Sequence, residues 1–226
     1  MCFSAEASFI ASGVLAGTGI AISRLPKEKA SVPLSLIPAI FATHQLIEGF
    51  IWLEHDHPEP DAISTAVVFA YVLIAFGLWP LFIPFVAARV ETDPRRRQWM
   101  RYCQVIGLGV ALAYLVSIIR HPVSVSVDAC SLSYSVNAPG WFFIPYLTAV
   151  SVPFLVSSRR GLVYFGMTVV ASCAAAFYIA SMPSFPSVWC FFSAFMSASL
   201  YAYFRAEARH GEQAVEQNIP THPRMS

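Results

Sequence analysis

Apolar residues in this chain fall into seven long runs, separated by short segments rich in charged residues, Pro and Ser. The runs cover 7–22, 33–53, 63–88, 103–119, 141–156, 162–182 and 188–204. A helix needs roughly 20 apolar residues to cross about 30 Å of hydrocarbon. The pattern therefore predicts an all-α integral membrane protein, a seven-transmembrane-helix bundle forming one domain over 1–205. The first run is rich in small residues, with Gly13, Gly17 and Gly19, which suits close helix packing in a bilayer. Pro38 lies inside the second run and is expected to kink it. Trp79-Pro80 and Pro84 fall in the second half of the third. Between the fourth and fifth runs, 123–127 alternates apolar and polar residues, a strand-like period of two. An external hairpin with 132–136 or an irregular lid would each fit it. The polar tail, 206–226, is expected to begin as a fraying helix and end disordered. The two halves share no loop lengths or Pro positions, which argues against an inverted-repeat transporter.

Composition agrees with the runs. Of 226 residues, 57% are hydrophobic and 12% charged, about half the charged share of a soluble chain. The net charge of +1 carries no message about partners. No basic patch interleaved with aromatics is present, so nucleic acid is not an expected partner, whereas the lipid bilayer is. The distribution of charge says more. Thirteen of the fourteen Lys and Arg fall in alternate loops and the tail: Arg24, Lys27, Lys29, then Arg89 to Arg101, then Arg159 and Arg160, then Arg205, Arg209 and Arg224. Arg120 alone lies on the other side. The positive-inside rule puts the N-terminus outside and the C-terminus in the cytoplasm, an alternation that one span more or fewer would scramble. No basic residue precedes the first apolar run, unlike a secretory signal, so that run reads as a retained span. Cys2 lacks an upstream apolar region and lipobox, so lipidation is not expected there.

Chemistry concentrates in the second run, where His44 and Glu48 lie four residues apart on one helix face. Ionisable groups at membrane depth are costly and mark functional sites by default. The topology gathers Glu6, Arg120, His121, Cys2, Cys130 and Cys190 toward the same outer half. This predicts an outward-facing polar pocket around His44, Glu48 and Glu6, with Arg120 as counter-charge. A metal is one reading, with His44, Glu48, Cys2 and Cys190 as ligands of a kind that favours zinc or copper. A proton or ligand path is another. A structural network, His44 bonding Gln45, Glu48 or a neighbouring backbone carbonyl, is the third. The acidic loop holding Glu54, His55, Asp56, His57, Glu59 and Asp61 reads first as a solvated external loop, with weak metal collection as the alternative. Cys130 paired with Cys2 or with Cys190 is the disulfide expected on an oxidising exterior. Cys103 and Cys173 read as packing residues. Trp52, Trp99, Trp141 and Trp189 sit at run ends, as in an interfacial belt. No Lys lies in a run, which excludes a retinal Schiff base, and no Walker loop, GxSxG elbow or HExxH motif is present.

The opening MCFSAEASF, HQLIEGFIWL in the second run, DPRRRQW between the third and fourth, and SVWCFFSA in the seventh resemble a family of bacterial multispanning proteins of unknown function whose members begin with MCFSA. That resemblance covers most of the chain and implies a multi-pass protein of the bacterial plasma (inner) membrane, with no activity attached. In architecture the chain also resembles the seven-span alkaline ceramidase and adiponectin-receptor hydrolases, but its last run lacks their zinc-binding HxxxH pair. The functional expectation is an integral membrane protein that binds or senses a ligand or metal in the outer pocket. A metal-dependent hydrolase acting on lipid, with Glu6 as acid or base, and a proton-coupled transporter are the alternatives. A scaffold within a larger complex fits the sequence equally. Nothing in the sequence sets the oligomeric state.

Overall fold

The computed structural model describes residues 4–55, 62–128 and 131–217. Nearly all of these are helical. In chain order the elements are α1 (Ala5–Ser23), α2 (Ile37–His55), α3 (Ala62–Val72), a π-helical turn (Leu73–Leu78), α4 (Trp79–Val90) and α5 (Pro94–Arg120). A two-stranded hairpin follows, β1 (Ser124–Asp128) and β2 (Ser131–Ser135), then α6 (Phe143–Leu155), α7 (Arg160–Ile179), α8 (Phe185–Phe191) and α9 (Ser193–Gln217). Among the described residues five helical stretches are long and apolar enough to cross a membrane, six if the bent pair α8–α9 counts as one. The apolar stretch Gly140–Leu155 is shorter. The outward faces carry Ile10, Val105, Ile119, Ile144 and Tyr178, all exposed. A surface this apolar on almost every helix is suited to lipid, not water.

Three element boundaries differ from the hydrophobic pattern, each for a local reason. Pro38 does not kink α2. The helix begins at Ile37 after two short 3-10 turns, so the proline sits in the first turn, where its missing N–H costs nothing. Helix α5 starts at Pro94, well before the fourth apolar run. Asp93 caps it by accepting from the N–H groups of Arg95 and Arg96. The charged segment thus extends the helix beyond the apolar run. The seventh run is broken between α8 and α9 by a 41° bend.

The break in the third run has a clear cause. Pro80 has no N–H, so a carbonyl one turn earlier is left without its helical partner. The chain loosens into the π turn, where Trp79 N–H bonds Ile74 O, five residues back. Ala75 O is then open, and Tyr146 OH from α6 donates to it at 2.8 Å. Helix α5 approaches the same spot so closely that a Cβ on Gly107 would stand 1.8 Å from Pro80 O. Similarly, α1 meets α2 through Gly49, where a Cβ would lie 2.5 Å from the Phe9 ring, and through a 2.8 Å bond from Ser12 Oγ to Ala42 O.

Polar contacts tie one end of the bundle together. Glu91, buried just beyond α4, accepts from Thr92 N–H and Asp93 N–H at 2.9 Å each and from Ser157 Oγ, Ser158 N–H and Ser158 Oγ. Arg96 donates to Val156 O and Ser157 O. Arg159 pairs with Glu28 at 2.9 Å and Glu207 at 3.1 Å. Segments that the charge pattern assigns to one side therefore meet at one end. At the other end the hairpin folds back onto the helices. β1 is largely exposed, whereas Ser131, Leu132, Ser133 and Tyr134 of β2 are all buried. The hairpin expectation holds, with Val125 opposite Tyr134 in an antiparallel register.

Candidate functional site

Helix α2 carries His44 and Glu48 into the bundle, where both are buried, His44 with none of its surface exposed. His44 touches two other elements. Its Nε2 lies 3.0 Å from Tyr71 O, at the end of α3, and its Nδ1 lies 3.0 Å from Cys190 Sγ on α8. A carbonyl only accepts, so Nε2 carries the ring proton and Nδ1 offers its lone pair to the Cys190 S–H. The imidazole is thus neutral, oriented at one nitrogen and in contact with a thiol at the other. The Tyr71 ring stacks on the His44 ring at 4.0 Å between centroids, and Tyr134 from β2 stacks on Tyr71 at 4.3 Å. The hairpin therefore contributes a side chain to the buried site as well as covering the end of the bundle.

Around this stack lie polar groups with unused hydrogen-bonding capacity. Glu48 Oε1, Ser187 Oγ, Tyr71 OH and Tyr134 OH are all buried, and among the described residues their polar neighbours are one another and Cys190, at geometry short of a full hydrogen bond. Ser187 lies beside Glu48, and the Tyr71 hydroxyl lies within reach of Cys190, Glu48 and Tyr134. Leaving such a group unpaired costs on the order of 1–3 kcal/mol. Buried polar atoms are satisfied in most proteins, so a group of them left open points to a place for a polar ligand or ordered water. Next to the cluster is an apolar pocket, partly open at its mouth, whose non-atom space comes to about 580 Å³ when the solvent at the mouth is counted. Phe41, Ile83, Val150, Phe165 and Trp189 line it, and Cys190 belongs both to its wall and to the polar cluster.

The residues singled out in the sequence divide sharply. His44, Glu48 and Cys190 come together at the core. Glu6 and Arg120 do not join them, and both are exposed. The reason is rotational. The buried face of α1 holds Ser8, Ser12, Leu15 and Ile22, and Glu6 stands two residues, about 200°, from Ser8. Arg120 stands in the same relation to buried Ile118 on α5. Among the described residues no ion pair reaches Glu48, so the Arg120 counter-charge is not found. Of the expected pocket residues, His44 and Glu48 lie in a buried polar cluster beside an apolar pocket, and Glu6 does not line it.

A zinc or copper site built on His44, Glu48, Cys2 and Cys190 gains no support. Among the described residues no group of three or more His, Cys, Asp and Glu is arranged to hold a metal. The one lone pair of neutral His44 faces a thiol instead. Asp56, His57, Glu59 and Asp61 of the acidic loop lie outside the described residues, and so do Cys2 and Cys130 of the expected disulfide. Cys190 itself is a free thiol, as are buried Cys103 and Cys173. Trp189, expected in the interfacial belt, lines the cavity and donates Nε1–H to Ser172 Oγ at 2.9 Å. Trp99 and Trp141 are exposed, as a belt requires. Tyr71, Tyr134 and Ser187 were not singled out. The Trp-Pro pair at 79–80 and the period of two ahead of Tyr134 were the available signals, and neither names a partner.

These features define a class: a largely helical protein whose helices are long and apolar enough for a lipid bilayer, with a buried polar cluster beside an apolar pocket among them. Over residues 1–215 the chain matches the family of unknown function DUF6629, and it belongs to that family. No curated protein and no solved structure matches it.

Proposed function

We propose that the chain is a multi-pass protein of a bacterial inner membrane that binds an amphipathic, lipid-like molecule inside its helix bundle. The carrying observation is the junction at Cys190, where an apolar pocket meets a cluster of buried polar groups with few partners of their own. A hydrocarbon chain fits the walls formed by Phe41, Ile83, Val150 and Phe165. An uncharged head that both donates and accepts hydrogen bonds fits Glu48, Tyr71, Tyr134 and Ser187. Seven crossings, with the N-terminus outside, remain the reading we favour. The meeting of Glu28, Glu91, Arg96, Arg159 and Glu207 at one end supports it, because these residues come from the segments the Lys and Arg bias assigns to the cytoplasm. The hairpin then closes the outer end.

The test is native mass spectrometry and lipid extraction of protein purified in mild detergent. Wild type should retain one lipid-like species at about one per chain, and Glu48→Met should lose it while remaining folded. A wild-type chain carrying only the average lipid mixture of its membrane would overturn the proposal.

A further inference from the structure

A buried thiol in apolar surroundings is ordinarily inert, and one with a base in contact is not. Among the described residues three buried cysteines permit a comparison: Cys103 and Cys173 have no histidine bonded to them there, whereas Cys190 Sγ lies 3.0 Å from His44 Nδ1. The histidine is fixed in turn by the 3.0 Å contact between Nε2 and Tyr71 O. Nucleophile, base and orienting acceptor form the sequence that activates serine and cysteine nucleophiles in unrelated folds. A second group faces the same thiol. Tyr71 OH, fully buried, reaches Cys190 and can turn its O–H from the sulfur to a developing oxyanion. Trp79 Nε1, on a side chain that lines the cavity, completes no hydrogen bond.

We propose that Cys190 is an acyl-accepting nucleophile, with His44 as its base, for the acyl group of an ester or thioester whose chain occupies the adjoining cavity. The proposal rests on reading that cavity as a lipid-chain site. In the step, Cys190 S–H gives its proton to His44 Nδ1 as Sγ bonds the acyl carbonyl carbon. The charge that appears on the imidazole is held by the Nε2–H donated to Tyr71 O. Tyr71 OH donates to the carbonyl oxygen as it becomes an oxyanion. The adduct then collapses with cleavage of the donor's C–O or C–S bond, and Nδ1–H protonates the departing alcohol or thiol. The acyl group ends as a thioester on Cys190, and no oxidant or reductant is consumed. The apolar walls around Cys190 favour hydrocarbon acyl chains and disfavour charged acyl groups.

The full chain is incubated in nanodiscs with an alkynyl-palmitoyl coenzyme A thioester, and separately in vesicles of a phospholipid carrying the same alkynyl chain. Intact mass, hydroxylamine sensitivity and peptide mapping are read. The expected result is a single hydroxylamine-labile adduct on Cys190, from one donor or both, and the donor that works identifies the source. Cys190→Ala should abolish it and Cys173→Ala should leave it unchanged. His44→Gln should slow it by about 100-fold, within the range a positioned general base supplies. Wild type that stays unmodified with both donors overturns the proposal without reference to any variant. Labelling mapped to Cys103 or Cys173, or an unchanged rate in folded His44→Gln, also overturns it. A bound lipid retained without an adduct overturns the thiol chemistry and leaves the binding function standing, so the two failures are distinguishable.

Discussion

A carboxyl at the core of an apolar bundle, with no cation beside it, is a poor choice for stability and a good one for recognition. Glu48 is in that position, 2% exposed, with Oε1 unpaired. Replacing an unpaired buried polar group by an apolar one of similar volume removes a penalty of about 1–3 kcal/mol. Glu48→Met should therefore raise the thermal midpoint of the ligand-free protein in detergent and abolish ligand retention, the trade expected of a functional residue. A fall in the midpoint would make Glu48 structural. His44 should behave in the opposite way, because both its nitrogens are engaged. His44→Ala strands Tyr71 O and the Cys190 thiol and should lower the midpoint by the equivalent of about 2 kcal/mol or more. This part of the site was legible because an ionisable pair four residues apart in an apolar run must be buried against a partner, whether its role is structural or functional. Its partners were not legible, because side-chain direction around a helix depends on packing that periodicity does not specify. Glu6 and Arg120 were assigned by depth alone, and depth says nothing about which way a residue faces.

The elements themselves follow the sequence closely where one physical rule dominates. Long apolar runs became helices, and the alternating segment after Arg120 became β1. Where two rules compete, the pattern misleads. The run of Arg residues at 95–97 reads as loop by hydropathy and as helix by its Asp93-Pro94 cap, and the cap prevails. The packing of α5 against α4 provides a discriminating pair of substitutions on one helix. At Gly107 a Cβ meets the Pro80 carbonyl at 1.8 Å, whereas at Gly109 nothing lies within 4 Å. Gly107→Ala should lower the thermal midpoint by the equivalent of about 1–3 kcal/mol, the usual range for overpacking. Gly109→Ala should leave it unchanged or raise it by up to about 1 kcal/mol from helix propensity. Equal effects at the two positions would mean that α5 does not approach the π turn as described. Tyr146→Phe tests the same junction from α6. Loss of the bond to Ala75 O should cost about 1 kcal/mol.

For the molecule as a whole, one end is joined by polar contacts and the other is closed by the hairpin, and the joined end has a measurable pH signature. Burial pushes the Glu91 carboxyl up, but the bonds it accepts from Ser158 Oγ, Ser158 N–H, Asp93 N–H and Ser157 Oγ outweigh burial and hold it below its ordinary value of 4.5. A carboxyl whose folded value is depressed contributes stability above its unfolded value and loses that contribution as pH falls through the folded one. The wild-type midpoint should therefore hold from neutrality down to about the ordinary carboxylate range and then decline as Glu91 takes up a proton. Glu91→Gln should start lower by the equivalent of about 1–3 kcal/mol at neutral pH and show less acid dependence, the two curves converging at low pH. The loss should also extend beyond α4. Glu91 joins the start of α5 to the segment before α7, and Arg96 and Arg159 extend the connection to α6, α9 and Glu28. Hydrogen exchange in Glu91→Gln should accordingly rise together at 91–95 and 157–160, while the amides of β1 and β2 at the other end stay protected. If only 91–95 responds, Glu91 is a local cap, and the loops assigned to the cytoplasmic side are not held as one unit.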